Sequence, residues 1–472
     1  MKPVTLALLC ITVVGAATAR TAPAADWTQL QNGPERRGHT PEQIDAPFRL
    51  KWTWNRDQST AVRISYFVQP IVADGRVFIG ACDNRMYALD AASGRELWAF
   101  QTEGVIMGTA AYGPDTRLVY FGSHDSHVYA VDAADGTPAW KFKTGEGVWA
   151  AILYVDGTVY VGSRDGYFYA LDGRTGKLAW QYPAANEEPL PPIYSPASFS
   201  PKTGLVYFGA RDVRIYALDA KNGRLAARSE QLNGADFGWY WPVVLDEQGW
   251  IMVRTCNYHT HKVWEGPYRS SGREIAAWID RNPHHRFFHT LDARTLKPAY
   301  TAPILFQGGC YGRPAPPIVD DKGNVYAIKN NTGYMGGCTL VQLDLKTSEF
   351  ARQFTSGGGG AYRIVGDEGS ALSMAGTKIV VSNPQSLGME DVTTSRSIPV
   401  IRESSRNRDG YTNRASLWIF DISESLLFSS EEKEPGVDVW HCSPDWTPAA
   451  IAGKTIYWLS DGRALAAIGA GE

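Results

Sequence analysis

An all-β ring of eight four-stranded antiparallel blades, closed by pairing its two ends, is the fold this chain predicts. Two observations predict it. The eleven-residue phrase Ala-x-Asp-x-x-x-Gly-x-x-x-Trp occurs at Ala88 to Trp98, Ala130 to Trp140 and Ala170 to Trp180, and a fourth copy at Ala217 ends in Ala227. The aspartates Asp90, Asp132, Asp172 and Asp219 are 42, 40 and 47 residues apart, a period suited to one propeller blade. The second observation is the recurrence of tight-turn dipeptides, Asp74-Gly75, Asp156-Gly157, Asp165-Gly166 and Asp461-Gly462, between short apolar runs, where glycine tolerates the positive φ that hairpins need.

The first clear blade shows the grammar. An apolar inner strand ends at Asp74-Gly75, a second runs Val77 to Gly80, a third carries Met86 to Leu89, and a fourth covers Glu96 to Gln101. Worn copies follow at Leu291-Asp292 to Tyr300, Leu343-Asp344 to Arg352 and Phe420-Asp421 to Phe428, which completes seven blades. The C-terminus starts an eighth with Pro448 to Ile451, Thr455 to Leu459 and Ala464 to Ile468. Its missing fourth strand is expected from Leu50-Lys51-Trp52-Thr53-Trp54, which would close the ring and remove its free edges. The repeated tryptophans are expected on outer strands, packed against neighbouring blades.

Residues 1–25 read as a secretory signal: Lys2, an apolar stretch from Leu6 to Gly15, and small residues at Ala17-Thr18-Ala19 or Ala22-Pro23-Ala24. The mature propeller, 26–472, is therefore expected to be periplasmic or secreted and without a membrane-spanning segment. A net charge of −3 with 20% charged residues argues against a nucleic-acid surface. Five cysteines remain after cleavage, so at least one is unpaired within the chain.

The phrase resembles the tryptophan-docking motif of PQQ-like, quinoprotein-type propellers, and it extends from about Trp52 to Ile468. The opening Asp26-Trp27-Thr28-Gln29-Leu30, with Gly33 and Arg37-Gly38, is similar to the entry segment of many secreted members. The resemblance implies one of two branches: dehydrogenases that bind pyrroloquinoline quinone with calcium, or cofactor-free propellers similar to the outer-membrane barrel-assembly lipoprotein. The chain departs from the first branch in lacking adjacent cysteines and a Cys-x-x-Cys-His haem site.

Strand parity places the second-to-third and fourth-to-first connections on one face. Two insertions, about 258–286 and 385–414, fall in second-to-third connections and are expected to overhang that face. The entrances of the inner strands bring Gln69, Met107, Trp149, Tyr194, Tyr240 with Trp241, Arg313, Asp367 with Glu368, and Asp445 with Trp446 to the channel. Such an aromatic funnel suits a protein or peptide partner or a small planar ligand. If a quinone binds, Trp149 or Trp241 is expected to stack on it, Arg313 to contact its oxygens, and Asp445 or Asp367 to act as general base, with Gln69 and Tyr194 nearby. His259-x-His261 is the candidate metal pair, flanked by Glu265 and Glu274. Cys310 and Cys338, flanking the first two strands of one blade, are the expected disulfide.

Overall fold

The computed structural model describes residues 26–470 apart from 46–47, 56–61, 66, 235–236, 238–239, 256–265, 306–315, 331–337, 355–370, 384–385, 392–395, 404–416, 422–425, 430–446 and 461–463. Eight sheets form the ring, and paired strands are antiparallel except where His39–Thr40 runs parallel to the inner strand of the seventh blade at Met374 and Ala375. The inner strands of the first five blades are Ile71–Ala73, Ala111–Gly113, Leu153–Val155, Ser198–Ser200 and Val243–Leu245; Ile318–Val319, Ala371–Ala375 and Ala450–Ala452 complete the circle. Closure follows the expected pairing: Phe48–Trp54 runs antiparallel to Ala464–Ala470 as the outer strand of the eighth blade. Among the described residues no helix is long and apolar enough to cross a membrane.

The repeated phrase is a joint between adjacent blades. Its aspartate ends the third strand, and Asp90, Asp172 and Asp292 each accept from the N–H and hydroxyl of Ser93, Thr175 or Thr295 three residues on. Those bonds fold the turn and hold the carboxylates below their usual range. A bulge precedes each tryptophan and re-aims the strand. Trp52, Trp98, Trp140 and Trp180 then lie on Gly94, Gly136, Gly176 and Gly223 of the following blade. Their indole N–H groups donate to Ala91, Ala133, Gly173 and Ala220 carbonyls at 2.8 to 3.1 Å. Trp52 on Gly94 makes the same joint across the closure.

The fourth copy explains its own irregularity. Ala227 stands where tryptophan is missing, and the next blade carries Leu296 instead of glycine; Leu296 is buried and packs beside Ala227. The two departures compensate by volume. Ala227→Trp alone should clash and lower the melting temperature, whereas Ala227→Trp with Leu296→Gly should recover about 2 kcal/mol relative to it. Calorimetry of both variants reads the difference.

Two segments depart from the expected layout. In the seventh blade Lys378–Asn383 pairs with Ser386–Asp391, which pairs with Arg396–Glu403. Much of 385–414 is thus sheet, and Leu417–Asp421 and Leu426–Ser429 lie beyond it in a seven-stranded sheet. A two-residue connection costs less closure entropy than a loop of some thirty residues. The other is the described part of the first insertion, which forms a helix, Gly272–Arg281, capped by Ser271 and Glu274 in a reciprocal box. Its Ile275 and Ile279 pack with Tyr268 and Leu305, next to Phe350 on the outer strand of the sixth blade. This helix therefore lies along the ring's outer edge, away from the channel, because its apolar face is buried there.

The centre of the ring is occupied by the chain's own start. Trp27 exchanges two backbone hydrogen bonds with Val72. The carbonyls of Thr28, Pro34, Glu35, Arg37 and Gly38 then accept from Tyr112, Phe199, Val244, Val319 and Met374, in the inner strands of the second and the fourth to seventh blades. That third blade is met by Gln29, whose side chain bonds both backbone groups of Tyr154. Gln31 N–H donates to Gln69, which in turn donates to Ala449 in the eighth blade. Residues 27–40 form a strap bonded to the first seven blades and, through Gln69, to the eighth.

Candidate functional site

The strap fills the turn-side half of the channel, and among the described residues a hollow remains on the loop-rich side. Phe67, Met107, Trp149, Tyr240, Trp241 and Pro448 line a partly open hollow of about 20 Å³, room for about one water, and Leu30 of the strap is part of its lining. Met107, Trp149, Tyr240 and Trp241 were expected at inner-strand entrances, and the structure brings all four together. Tyr194 stands just outside, 5.2 Å from the Trp149 ring. Gln69 is buried and its amide is committed to Gln31 and Ala449. Trp241 is 6% exposed, and its indole N–H lacks an acceptor among the described residues.

Around the hollow, the second-to-third turns repeat the pattern x-Asp-x-x-x-Tyr. Asp125, Asp165 and Asp212 accept the hydroxyls of Tyr129, Tyr169 and Tyr216 at 2.9, 2.8 and 2.6 Å. Burial and the neighbouring carboxylate raise each of these phenols well above the usual range. The residue before each aspartate, His124, Arg164 or Arg211, is left to face the mouth. His124 stacks on Trp149 with ring centroids 4.4 Å apart and 7° between planes. The Arg164 guanidinium lies 4.8 Å from the same ring, and that of Arg211 lies 5.9 Å from Tyr194. Burial, helped by Arg164, lowers the His124 pKa to about 4, so the imidazole is neutral at pH 7. Sequence reading passed over this ladder because its residues sit in turns that the repeat explains as hairpins; the missed signal is the variable residue ahead of an otherwise constant aspartate.

Arg313, Asp367, Asp445, His259, His261 and Cys310 lie outside the described residues, as does the side chain of Cys338. Glu274, which flanked the histidine candidates, is spent in the helix cap. A flat quinone on Trp149 would have to displace His124 from the face it covers. Among the described residues no three His, Cys, Asp or Glu side chains converge as a calcium site would require.

His289, in the third strand of the fifth blade, is a structural group. It is fully enclosed beside Thr255 and the Asn233 carbonyl, and burial lowers its pKa to about 3. Unfolded, it would titrate near 6.5, so the unfolded chain binds the extra proton between those values. Its contribution should be complete above pH 6.5 and lost as pH falls towards 3, by up to a few kcal/mol. Urea midpoints measured from pH 7 to 4 should fall less steeply in His289→Gln than in the unsubstituted chain.

Residues 104–236 match the family model described as outer membrane protein assembly factor BamB. Residues 46–148 match the model described as glucose/ethanol/alcohol dehydrogenase, beta-propeller domain. Solved structures share the fold at low identity. BamB from Moraxella catarrhalis is 14% identical, with TM-score 0.51 over 90% of this chain and 98% of that one. A europium-containing methanol dehydrogenase is 12% identical, with TM-score 0.55 over 86% and 89%. The computationally designed Ika8 protein is 12% identical, with TM-score 0.53 over 86% and 97%. No curated protein matches the chain at the sequence level.

Proposed function

Since the chain is an eight-bladed propeller built of PQQ-like repeats, we propose that it is exported to the periplasm or secreted, and that it works as a binding and assembly module, capturing a protein partner on its loop-rich face. One observation carries this reading. Among the described residues the strap closes the channel from the turn side and leaves Met107, Trp149, Tyr240 and Trp241 around a shallow hollow on the loop-rich face, a surface on which a partner could seat. The likeness to an assembly-factor propeller supports a protein as the occupant.

Site-specific photocrosslinking tests it. A benzophenone side chain at Met107 should trap a defined partner in cells, whereas the same group at Lys221, in a third-to-fourth turn on the opposite face, should not. Equal trapping from both positions, or none from Met107, sinks the module reading.

A second reading, an oxidoreductase dependent on pyrroloquinoline quinone with calcium, is supported by the match of residues 46–148 to a dehydrogenase propeller. On it Trp149 or Trp241 stacks on the quinone, Arg313 contacts its oxygens, and Asp445 or Asp367 is the general base. Titrating the mature chain with quinone and calcium decides this: a bound chromophore with dye reduction by alcohols or sugars supports it, and no binding at micromolar quinone ends it.

A further inference from the structure

We propose that Asn222 is the residue at which this chain modifies itself by spontaneous deamidation, and that the reaction unseats the joint between the third and fourth blades.

The chain has three Asn-Gly pairs, Asn32-Gly33, Asn222-Gly223 and Asn233-Gly234. In sequence they are alike, because glycine has no side chain to keep its own nitrogen from the preceding amide. The structure separates them. The Asn32 amide donates to the His39 carbonyl at 2.9 Å. The Asn233 amide donates to the His284 and Arg286 carbonyls at 2.6 and 3.2 Å, and the Asn233 main-chain carbonyl accepts from Thr255. Both side chains are therefore held by the NH₂ group, which is the group that must leave. Asn222 is exposed in the third-to-fourth turn of the fourth blade, and among the described residues its NH₂ group donates to nothing. Only its Oδ1 is engaged, accepting the Arg224 N–H at 2.9 Å. That donor polarises the amide and stabilises the charge that gathers on Oδ1 during attack.

The reaction is an intramolecular acyl transfer. The Gly223 nitrogen gives its proton to water and bonds to the Asn222 side-chain carbonyl carbon; the bond from that carbon to Nδ2 breaks, and ammonia leaves. Water then opens the resulting cyclic imide at either carbonyl. One product is aspartate, and the other is isoaspartate, in which the main chain runs through the former side chain.

The attacking nitrogen also belongs to the blade joint. It donates to the Asp219 carbonyl at 2.8 Å, and Trp180 covers Gly223 so closely that a Cβ would stand 2.5 Å from the indole. This seat restrains the nitrogen, so the tryptophan sets the rate. Isoaspartate adds one methylene to the main chain just before Gly223. The glycine then cannot keep both its φ of +71° and its place beneath the ring.

Peptide mapping by mass spectrometry, on the mature chain aged at alkaline pH, tests this. Asn222 should convert at least tenfold faster than Asn32 or Asn233, whereas in urea all three should convert at similar rates. Trp180→Ala should raise the Asn222 rate at least threefold and leave the other two unchanged. Trp180→Phe, which keeps a ring without the indole N–H, serves if the alanine variant does not fold. Aged chain carrying isoaspartate should melt below fresh chain. Asn222→Ala should hold its melting temperature through the same ageing, and Asn222→Asp, with the charge but no added methylene, should melt close to fresh chain. Conversion led by Asn32 or Asn233, no conversion of Asn222, or an Asn222 rate that neither tryptophan variant changes overturns the proposal. So does isoaspartate-bearing chain that melts as fresh chain does.

Discussion

Arg36→Leu is expected to destabilise the protein by about 3 to 5 kcal/mol, measured as a shift of the urea unfolding midpoint. Arg36 has no exposed surface. Its guanidinium donates to the Leu30, Ile152 and Ala197 carbonyls at 2.8, 2.9 and 2.9 Å. It thereby ties the strap to itself and to the third and fourth blades. Burial pushes the group down to about 9, still well above neutrality, so it is charged at pH 7 and carbonyl dipoles solvate it. Leucine would keep the volume and remove every donor, leaving buried carbonyls at about 1 to 3 kcal/mol each, offset in part by relief of the buried charge. Arg36→Lys should recover only part of the loss, because an ammonium cannot span the carbonyls as the planar fork does. Near-native stability in Arg36→Leu would show that the strap adds little to the ring.

Gly136→Val should cost a similar amount, about 3 to 5 kcal/mol, through a different mechanism. Gly136 has φ +76°, where a side chain adds roughly 1 to 2 kcal/mol of strain. A Cβ there would stand 2.8 Å from the Trp98 ring. The indole would have to leave its seat, forfeiting roughly 2 to 3 kcal/mol of burial and its bond to Ala133. Gly75 separates the two causes, since it has φ +73° but open space around it. Gly75→Ala should therefore cost only about 1 kcal/mol, and Gly136→Ala in a Trp98→Ala background should fall to the same level. A cycle of the single and double substitutions, read by calorimetry, gives the coupling directly. Additive costs would refute the docking account.

The blade joints were legible because both partners of each joint lie within one repeat of each other. Tryptophan at Trp98 and glycine at Gly136 are one blade apart, so the period that reveals the repeat also sets the tryptophan against the neighbouring blade. The same regularity exposed the closure by Leu50 to Trp54, since the last repeat lacks a fourth strand and this segment is a fourth strand with no blade before it. Pattern reading failed where a segment lacks a period. The seventh blade was assigned by a worn aspartate at Asp421, yet the shorter hairpin connection took the sheet positions first. Of the mouth, Met107 and the aromatic members Trp149, Tyr240 and Trp241 were found from strand entrances. The arginine ladder was not, because a residue that varies between repeats looks like turn filler until its neighbours from other blades are in place.

Sequence alone determined the ring, its blade number, its closure and the packing of the repeated tryptophans against neighbouring blades, all of which follow from repeated contacts; that each tryptophan sits on a glycine of the next blade came from the structure. Only the tertiary structure decided what residues 27–40 do. The strap holds Gln31, Asn32 and Arg36 at positive φ, a conformation that non-glycine residues disfavour in isolation and that persists only where the surroundings impose it. Its hydrogen bonds go to strands up to some 340 residues away. No local propensity encodes such contacts, and they exist only after the ring has formed around them. That late-determined segment closes one end of the channel and leaves a hollow towards the other.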